Sequence, residues 1–390
     1  MTSTGVVGGQ WRATITEWGA LEPWDGSHMT DWFVAADDRW HRPQHESATR
    51  QVKLDGTPVV ETRVQIPGGD ALQRVYSVAD AGGLTIIEVT NESTLPIAVA
   101  FTGGGLVSRR APTTAPAQGI DLPADTVIYP VGHQAVVVVA RPHGDVAAGT
   151  ALPDTVASAD QVARGWLAQT QRASRLQLPD VALVEAVTAA RCELLLNGPS
   201  SGESGDGEGD GDGDPATFLL GVAELVRMGD RPSIWVPGIA EQLERWARSG
   251  TQIGTPMSVE AAARVLHAAG EHRAVDDLRK MNLPLTAESR SVMPTFPGLV
   301  PAWVEHQLVR SDEHTAELMP QGFPQAWLGV SFEAHGLAIG LASTLSFAIR
   351  WHGERPAVLW EVTGAPMPLT HGAWSTGQLS GEALWPAIQL

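Results

Sequence analysis

The hydrophobic periodicity of this chain changes twice along its length, and those two changes limit the fold more than any single motif does. Six short segments (58–66, 72–79, 84–90, 96–102, 126–129 and 135–141) are rich in Val, Ile and Thr. Turn signals such as Asp55-Gly56, Gly68-Gly69-Asp70, Gly82-Gly83 and Asn91-Glu92-Ser93 separate them. Thr62, Val64 and Ile66 alternate, as do Ile97, Val99 and Phe101, which predicts strands with one buried face. The unbroken apolar run at 135–140 predicts a strand buried on both faces. With no helical pattern between these segments, the region reads as an antiparallel sandwich. From 159 to 281 the period becomes helical. Segments 159–175 and 181–196 carry apolar residues at helical spacing. Further helices are expected from Asp214-Pro215 to Gly229, from Pro237 to Gly250, after a Ser258 cap to Gly270, and over 271–281. Glycine stands where a left-handed C-cap belongs, and the regular starts predict antiparallel helix hairpins. Beyond a Pro-rich stretch at 284–301, strands are expected at 330–335, 344–352 and 357–362, while 366–390 has no clear period.

Length and composition fit a multidomain protein with proper cores: 390 residues, of which 43% are hydrophobic. The net charge of −18 argues against nucleic acid or an anionic membrane as partner. Six of those charges sit in the Gly-rich acidic run at 198–214, which cannot bury a core and is expected to be a disordered loop. Its alternating acids suggest a calcium loop. An EF-hand starting at Asp206, however, needs Glu where Thr217 stands, and one starting at Glu208 needs it where Leu219 stands. The single cysteine, Cys192, lies in an apolar helical stretch and reads as a buried thiol. It leaves no room for an internal disulfide or a multi-Cys zinc site. His267 likewise reads as a core residue. No signal peptide and no run of ~20 apolar residues is visible, so a cytoplasmic location without a membrane span is expected. Neither a metal site nor a cofactor fingerprint is evident.

Fourteen tryptophans stand against two tyrosines, five of them in the first 40 residues. Between Glu17 and Glu46, acids and histidines alternate with four of these tryptophans. Tryptophan offers a flat apolar face with one N–H donor, which suits stacking on a sugar ring. On that reading Trp32 and Trp40 stack while Asp37, Asp38 and His41 bind hydroxyls. The alternative is a strap packed by its tryptophans with its acids in water. Glu305, two residues after Trp303, is the carboxylate most readily nominated as a catalytic general acid, because a neighbouring indole could desolvate it. The bland reading is a Glu on a short helix.

Residues 346–361, Ser-Phe-Ala-Ile-Arg-Trp-His-Gly-Glu-Arg-Pro-Ala-Val-Leu-Trp-Glu, resemble the C-terminal β-hairpin of six-hairpin glycosidases, a group that includes glucoamylase-like, maltose-phosphorylase-like and α-fucosidase-like enzymes. Residues 83–101, with their Asn91-Glu92-Ser93 turn, are similar to strands of that group's supersandwich. The resemblance implies an α+β multidomain protein. Its parts are an N-terminal antiparallel β-supersandwich (1–150), a partial α/α-hairpin toroid (155–290) and a C-terminal β-rich segment (291–390). Family members close twelve helices into a ring, and this chain has room for six or seven. The implied function is a glycosidase-related protein of carbohydrate metabolism that binds an oligosaccharide or small glycan and is either catalytically degenerate, with half its toroid lost, or active as a hydrolase or phosphorylase. The other class of function is a non-enzymatic scaffold with the helical arc as a protein-binding surface.

Overall fold

The computed structural model describes residues 1–115, 117–144, 152–199, 215–249, 255–281, 283, 285 and 293–387. Most of the 198–214 loop therefore falls outside the described residues. The chain is a mixed α+β protein that divides into two compact units, 1–167 and 168–390. Helix α1 (Ala159–Thr170) carries the chain across that division. The stretches expected as separate parts at 155–290 and 291–390 thus fall almost entirely in one unit.

In the first unit, a six-stranded antiparallel sheet runs in the spatial order Val107–Ser108, Val136–Pro142, Leu84–Asn91, Gly69–Val78, Val60–Ile66, Arg50–Lys53. A four-stranded antiparallel sheet runs Val127–Val131, Ile97–Phe101, Trp32–Ala35, Trp40–His41. The two sheets share a core. Val75, Ile87, Val89, Val137 and Val139 face Trp32, Val34, Val99, Phe101 and Tyr129. Neighbours of opposite parity (Tyr76, Val78, Leu84, Ile86 and Ala140) point the other way and pack with Ala159 and Ala163 of α1. The period of two thus puts two apolar clusters on the two faces of one sheet. Strand Val136–Pro142 feeds both clusters, but its first residue, Val136, is exposed, so the expected two-sided burial holds only past the strand's mouth. Four strands before residue 40, among them Thr2–Gly5, Arg12–Ile15 and Leu21–Pro23 in a three-stranded sheet, are three or four residues long, too short for a period to be read, and were not legible.

The second unit has a helical layer and two sheets. Helices α2 (Val181–Asn197), α3 (Pro215–Met228), α4 (Val236–Ser249), α5 (Pro256–Ala268), α6 (His272–Lys280) and α7 (Val300–Leu308) fall close to the expected bounds where bounds were expected. Asp180 Oδ1 caps α2 by accepting from the amides of Ala182 and Leu183. The cap of α5 is Thr255, not Ser258. Ser258 occupies the third helical position and its Oγ accepts from the Thr255 amide, as in a capping box. Helices α3, α4, α5 and α6 share one core around Leu219, Ile239, Trp246 and Leu266. Helices α2 and α7 instead pack against the sheets, through Val187, Val304 and Leu308. The larger sheet, all antiparallel, runs Arg175–Gln177, Phe332–Ile339, Ser343–His352, Arg355–Thr363, Ser380–Leu384. The smaller runs Val309–Ser311, Ala316–Leu318, Leu369–His371, Trp374–Thr376. Between them lies an aromatic core of Trp327, Phe332, Phe347, Trp360 and Trp385, with Trp385 stacked on His371 at 3.9 Å.

Candidate functional sites

Asp37 and Asp38 occupy the exposed turn of the hairpin whose strands carry Trp32 and Trp40. Trp32 is 1% exposed, and its indole N–H donates to the Trp18 carbonyl, so it fills the sandwich core and offers no face to a ligand. Trp40 is half-buried and its N–H donates to the Gln118 carbonyl. His41 is buried between two carboxylates, with Nε2 3.0 Å from Asp38 Oδ1 and Nδ1 3.2 Å from Glu46 Oε1. Arg39 closes the group on Glu46 at 2.6 Å and 3.1 Å. The hydrogen bond to His41 holds the Asp38 carboxyl below its usual range, and the Arg39 guanidinium does the same for Glu46. The turn is a self-satisfied ionic staple. Of the expected sugar wall, Trp40 and the exposed Asp37 and Asp38 keep surface free, and Asp38 is engaged with His41. Trp24, by contrast, is 53% exposed, with its N–H given to Thr14 Oγ1 and the exposed Glu22, Asp25 and His28 around it in sequence.

Glu305 lies on α7, buried, and not against Trp303. Residues two apart on a helix face different ways, and Trp303 packs on the sheet core. Glu305 Oε1 accepts from Ser174 Oγ (2.6 Å), Arg191 Nη2 (2.9 Å) and Arg227 Nη2 (3.0 Å). Glu224 of α3 accepts from the same two arginines, at 2.9 Å from Arg191 and in a short contact from Arg227. Burial alone raises the Glu224 carboxyl, but Arg227 and Arg191 outweigh it and hold that group below the usual range. Burial likewise works against the Arg227 charge, and Glu224 and Glu305 more than offset it. The ring borders a pocket of about 60 Å3, room for a few waters and too small for a sugar ring. This is structural stitching. Arg227 also donates to the carbonyls of Ala173 and Gly336, and Arg191 to that of Ser174.

A larger cleft of about 670 Å3 opens where α5 and α6 meet the loops at 312–313, 340–343 and 365–367. Val259, Ala263, Leu278, Leu341 and Met367 give it an apolar body. Glu260, His267, Arg279, Asp312, Glu313 and Ser343 supply polar groups. His267, expected in the core, is half-buried at this wall. Arg279 Nε sits 3.1 Å from Glu313 Oε1. No Trp, Tyr or Phe stands among the described lining residues. Its walls come from segments up to 111 positions apart, between 256 and 367, so no local motif announces it. Cys192 is buried, as expected. Among the described residues no three His, Cys, Asp or Glu side chains converge as a metal site, and no helix is long and apolar enough to cross a membrane. No family model matches the chain, and no curated protein or solved structure matches it either.

Proposed function

We propose that this protein binds a small organic molecule in the cleft of its second unit and performs no acid/base chemistry through Glu305. The observation that carries the reading is the cleft itself. A volume of about 670 Å3 with an apolar body and a few polar groups is the usual make-up of a small-molecule site, whose volumes run roughly 300–1,000 Å3. On this reading the chain is a glycosidase-related architecture, a supersandwich followed by a shortened helical arc, that has kept a binding role. The shared core of α3 to α6 and the order of sandwich, helices and β-layers support it. Glu224 and Glu305 support the loss of hydrolysis, because both carboxylates are taken up by arginines. The test is a thermal-shift screen of a small-molecule library against the chain and against Ala342→Trp, which places an indole at an exposed cleft position. A ligand present at 100 times its Kd stabilises by about 2.7 kcal/mol. The reading predicts hits whose shifts vanish in Ala342→Trp. A library without hits, or hits indifferent to that substitution, counts against it.

A second reading keeps the glycan but moves it to Trp24, whose exposed indole face among Glu22, Asp25 and His28 has the stacking and hydroxyl-binding chemistry that Trp32 lacks. Binding of oligosaccharides that Trp24→Ala abolishes and Ala342→Trp leaves intact favours this reading over the first.

A further inference from the structure

We infer that the cleft of the second unit selects an amphipathic cation, a primary or secondary alkylammonium, over neutral or anionic molecules of the same shape. The inference rests on the reading of that cleft as a small-molecule site and adds its charge preference.

Three carboxylates line the cleft, Glu260, Asp312 and Glu313, against one guanidinium, Arg279. Arg279 is spent on Glu313 at 3.1 Å. Glu260 stands 3.6 Å from Arg264 Nη1, so its charge too has a partner. Asp312 differs. Its Oδ1 accepts from the backbone amides of His314 (2.7 Å) and Thr315 (2.8 Å), and Thr315 Oγ1 reaches both carboxylate oxygens at 3.4 Å. Those bonds fix the carboxylate in its own turn and favour its ionised form. Among the described residues no Arg, Lys or His side chain pairs with it within 4 Å. An ionised, oriented and exposed carboxylate, with His314 of its own turn as an electrostatic neighbour and no ion-pair partner among the described residues, thus stands at the edge of an apolar cavity.

The lining also says which cation. A quaternary ammonium is recognised chiefly by the faces of Trp, Tyr and Phe, and the described lining has none of these. A primary or secondary ammonium needs hydrogen-bond acceptors instead. Asp312 has oxygen lone pairs left over, and the Ser343 hydroxyl, which donates to the Ala365 carbonyl, can itself accept. The alkyl part then lies along Val259, Ala263, Leu278 and Met367.

Octylammonium, 1-octanol and octanoate, each below its micellar concentration, are titrated calorimetrically into the full chain, Asp312→Asn and Ala342→Trp. We expect octylammonium to bind at least tenfold more tightly than octanoate. Asp312→Asn should narrow that gap to about threefold, Ala342→Trp should remove binding of all three, and added salt should weaken octylammonium alone. If 1-octanol or octanoate binds as tightly as octylammonium and Ala342→Trp still blocks it, the charge inference is wrong while the cleft remains a ligand site. If Asp312→Asn leaves the gap unchanged, the assignment to Asp312 is wrong. If none of the three binds, or Ala342→Trp changes nothing, the reading of the cleft falls as well.

Discussion

Each unit buries a connected row of polar side chains beside a β-sheet, but the first unit's row is neutral and the second's is ionic. In the first unit Thr4 Oγ1, Ser77 Oγ, Thr85 Oγ1 and His143 Nε2 follow one another at 2.8, 2.8 and 2.9 Å, and His143 stacks on Trp11 at 4.1 Å. In the second unit Arg191, Glu224, Arg227 and Glu305 form a closed ring of ion pairs. The backbone explains the difference. The sandwich strands pair most of their own amides and carbonyls, and the loose carbonyls of Leu95, Val131 and Gly132 are met by the neutral amide of Asn91. Where the helices meet the larger sheet, the register shifts between Ala334 and Leu337, and the chain bends at Ala173 and Ser174. Carbonyls at those places lie outside a ladder, and a buried carbonyl without a donor is costly. Guanidiniums with several fixed donors meet that need, and buried guanidiniums in turn need carboxylates.

The largest expected effect follows directly. Glu305→Ala leaves Arg191 and Arg227 buried with one carboxylate between them, and breaking a buried pair in this way costs about 3–5 kcal/mol. Chemical denaturation of the full chain, followed by a probe in the second unit, should show that loss. Glu305→Gln, which keeps an acceptor oxygen, should lose less. A cost below about 1 kcal/mol for Glu305→Ala means that the ring does not hold the helices to the sheet, and the contrast between the units collapses.

The neutral row makes the middle prediction, through pH. Burial, with Arg12 nearby, pushes the His143 imidazole down to about 4 from 6.5. Between those values the unfolded chain binds the proton and the folded chain does not, so stability falls as the pH drops from 6.5 to 4. His143 is partly exposed, which reduces the expected loss to about 1–2 kcal/mol. His143→Gln keeps a hydrogen-bonding partner for Thr85 and does not titrate. Denaturation curves at pH 7 and pH 4.5 should show the native chain losing more stability than the variant over that range. Equal losses in both chains mean that His143 is protonated in the folded state and the row is not neutral.

How much of this was legible in the sequence depends on how far apart the cooperating residues lie. The strands from 58 to 141 and the helices from 181 to 281 were readable, because each carries its own period of two or 3.6 within a dozen residues. The strands before residue 40 were not, because short strands such as Leu21–Pro23 hold too few residues to alternate. Glu305 was singled out for its neighbour Trp303, a residue on another face of the same helix. Its real partners are 78 to 131 positions away. One signal pointed to the ring: Glu224 sits inside the apolar stretch of α3, and Arg191 inside that of α2, where a charge is hard to place unless another meets it. Of the expected hydroxyl binders, Asp38 and His41 are hydrogen-bonded to each other, with Arg39 and Glu46 folded around them, while Asp37 stays exposed.

The smallest effect belongs to that surface staple, and it tests the same contrast from the other side. Arg39 is more than half exposed and Glu46 is held by it and by His41. An ion pair with an exposed partner is worth about 0–1 kcal/mol, because solvent already stabilises the Arg39 charge and salt screens what remains. Glu46→Gln should therefore cost under about 1 kcal/mol at low ionic strength, and the cost should shrink toward zero in 1 M salt, whereas Glu305→Ala should stay costly there. The sign with pH is fixed by the same carboxylate. Arg39 lowers the Glu46 pKa, so its contribution is present above the ordinary carboxylate range and is lost on acidification. A Glu46→Gln cost as large as that of Glu305→Ala, and as indifferent to salt, means that the hairpin turn is held by a desolvated ion cluster as well, and that burial of charge is not what separates the two units.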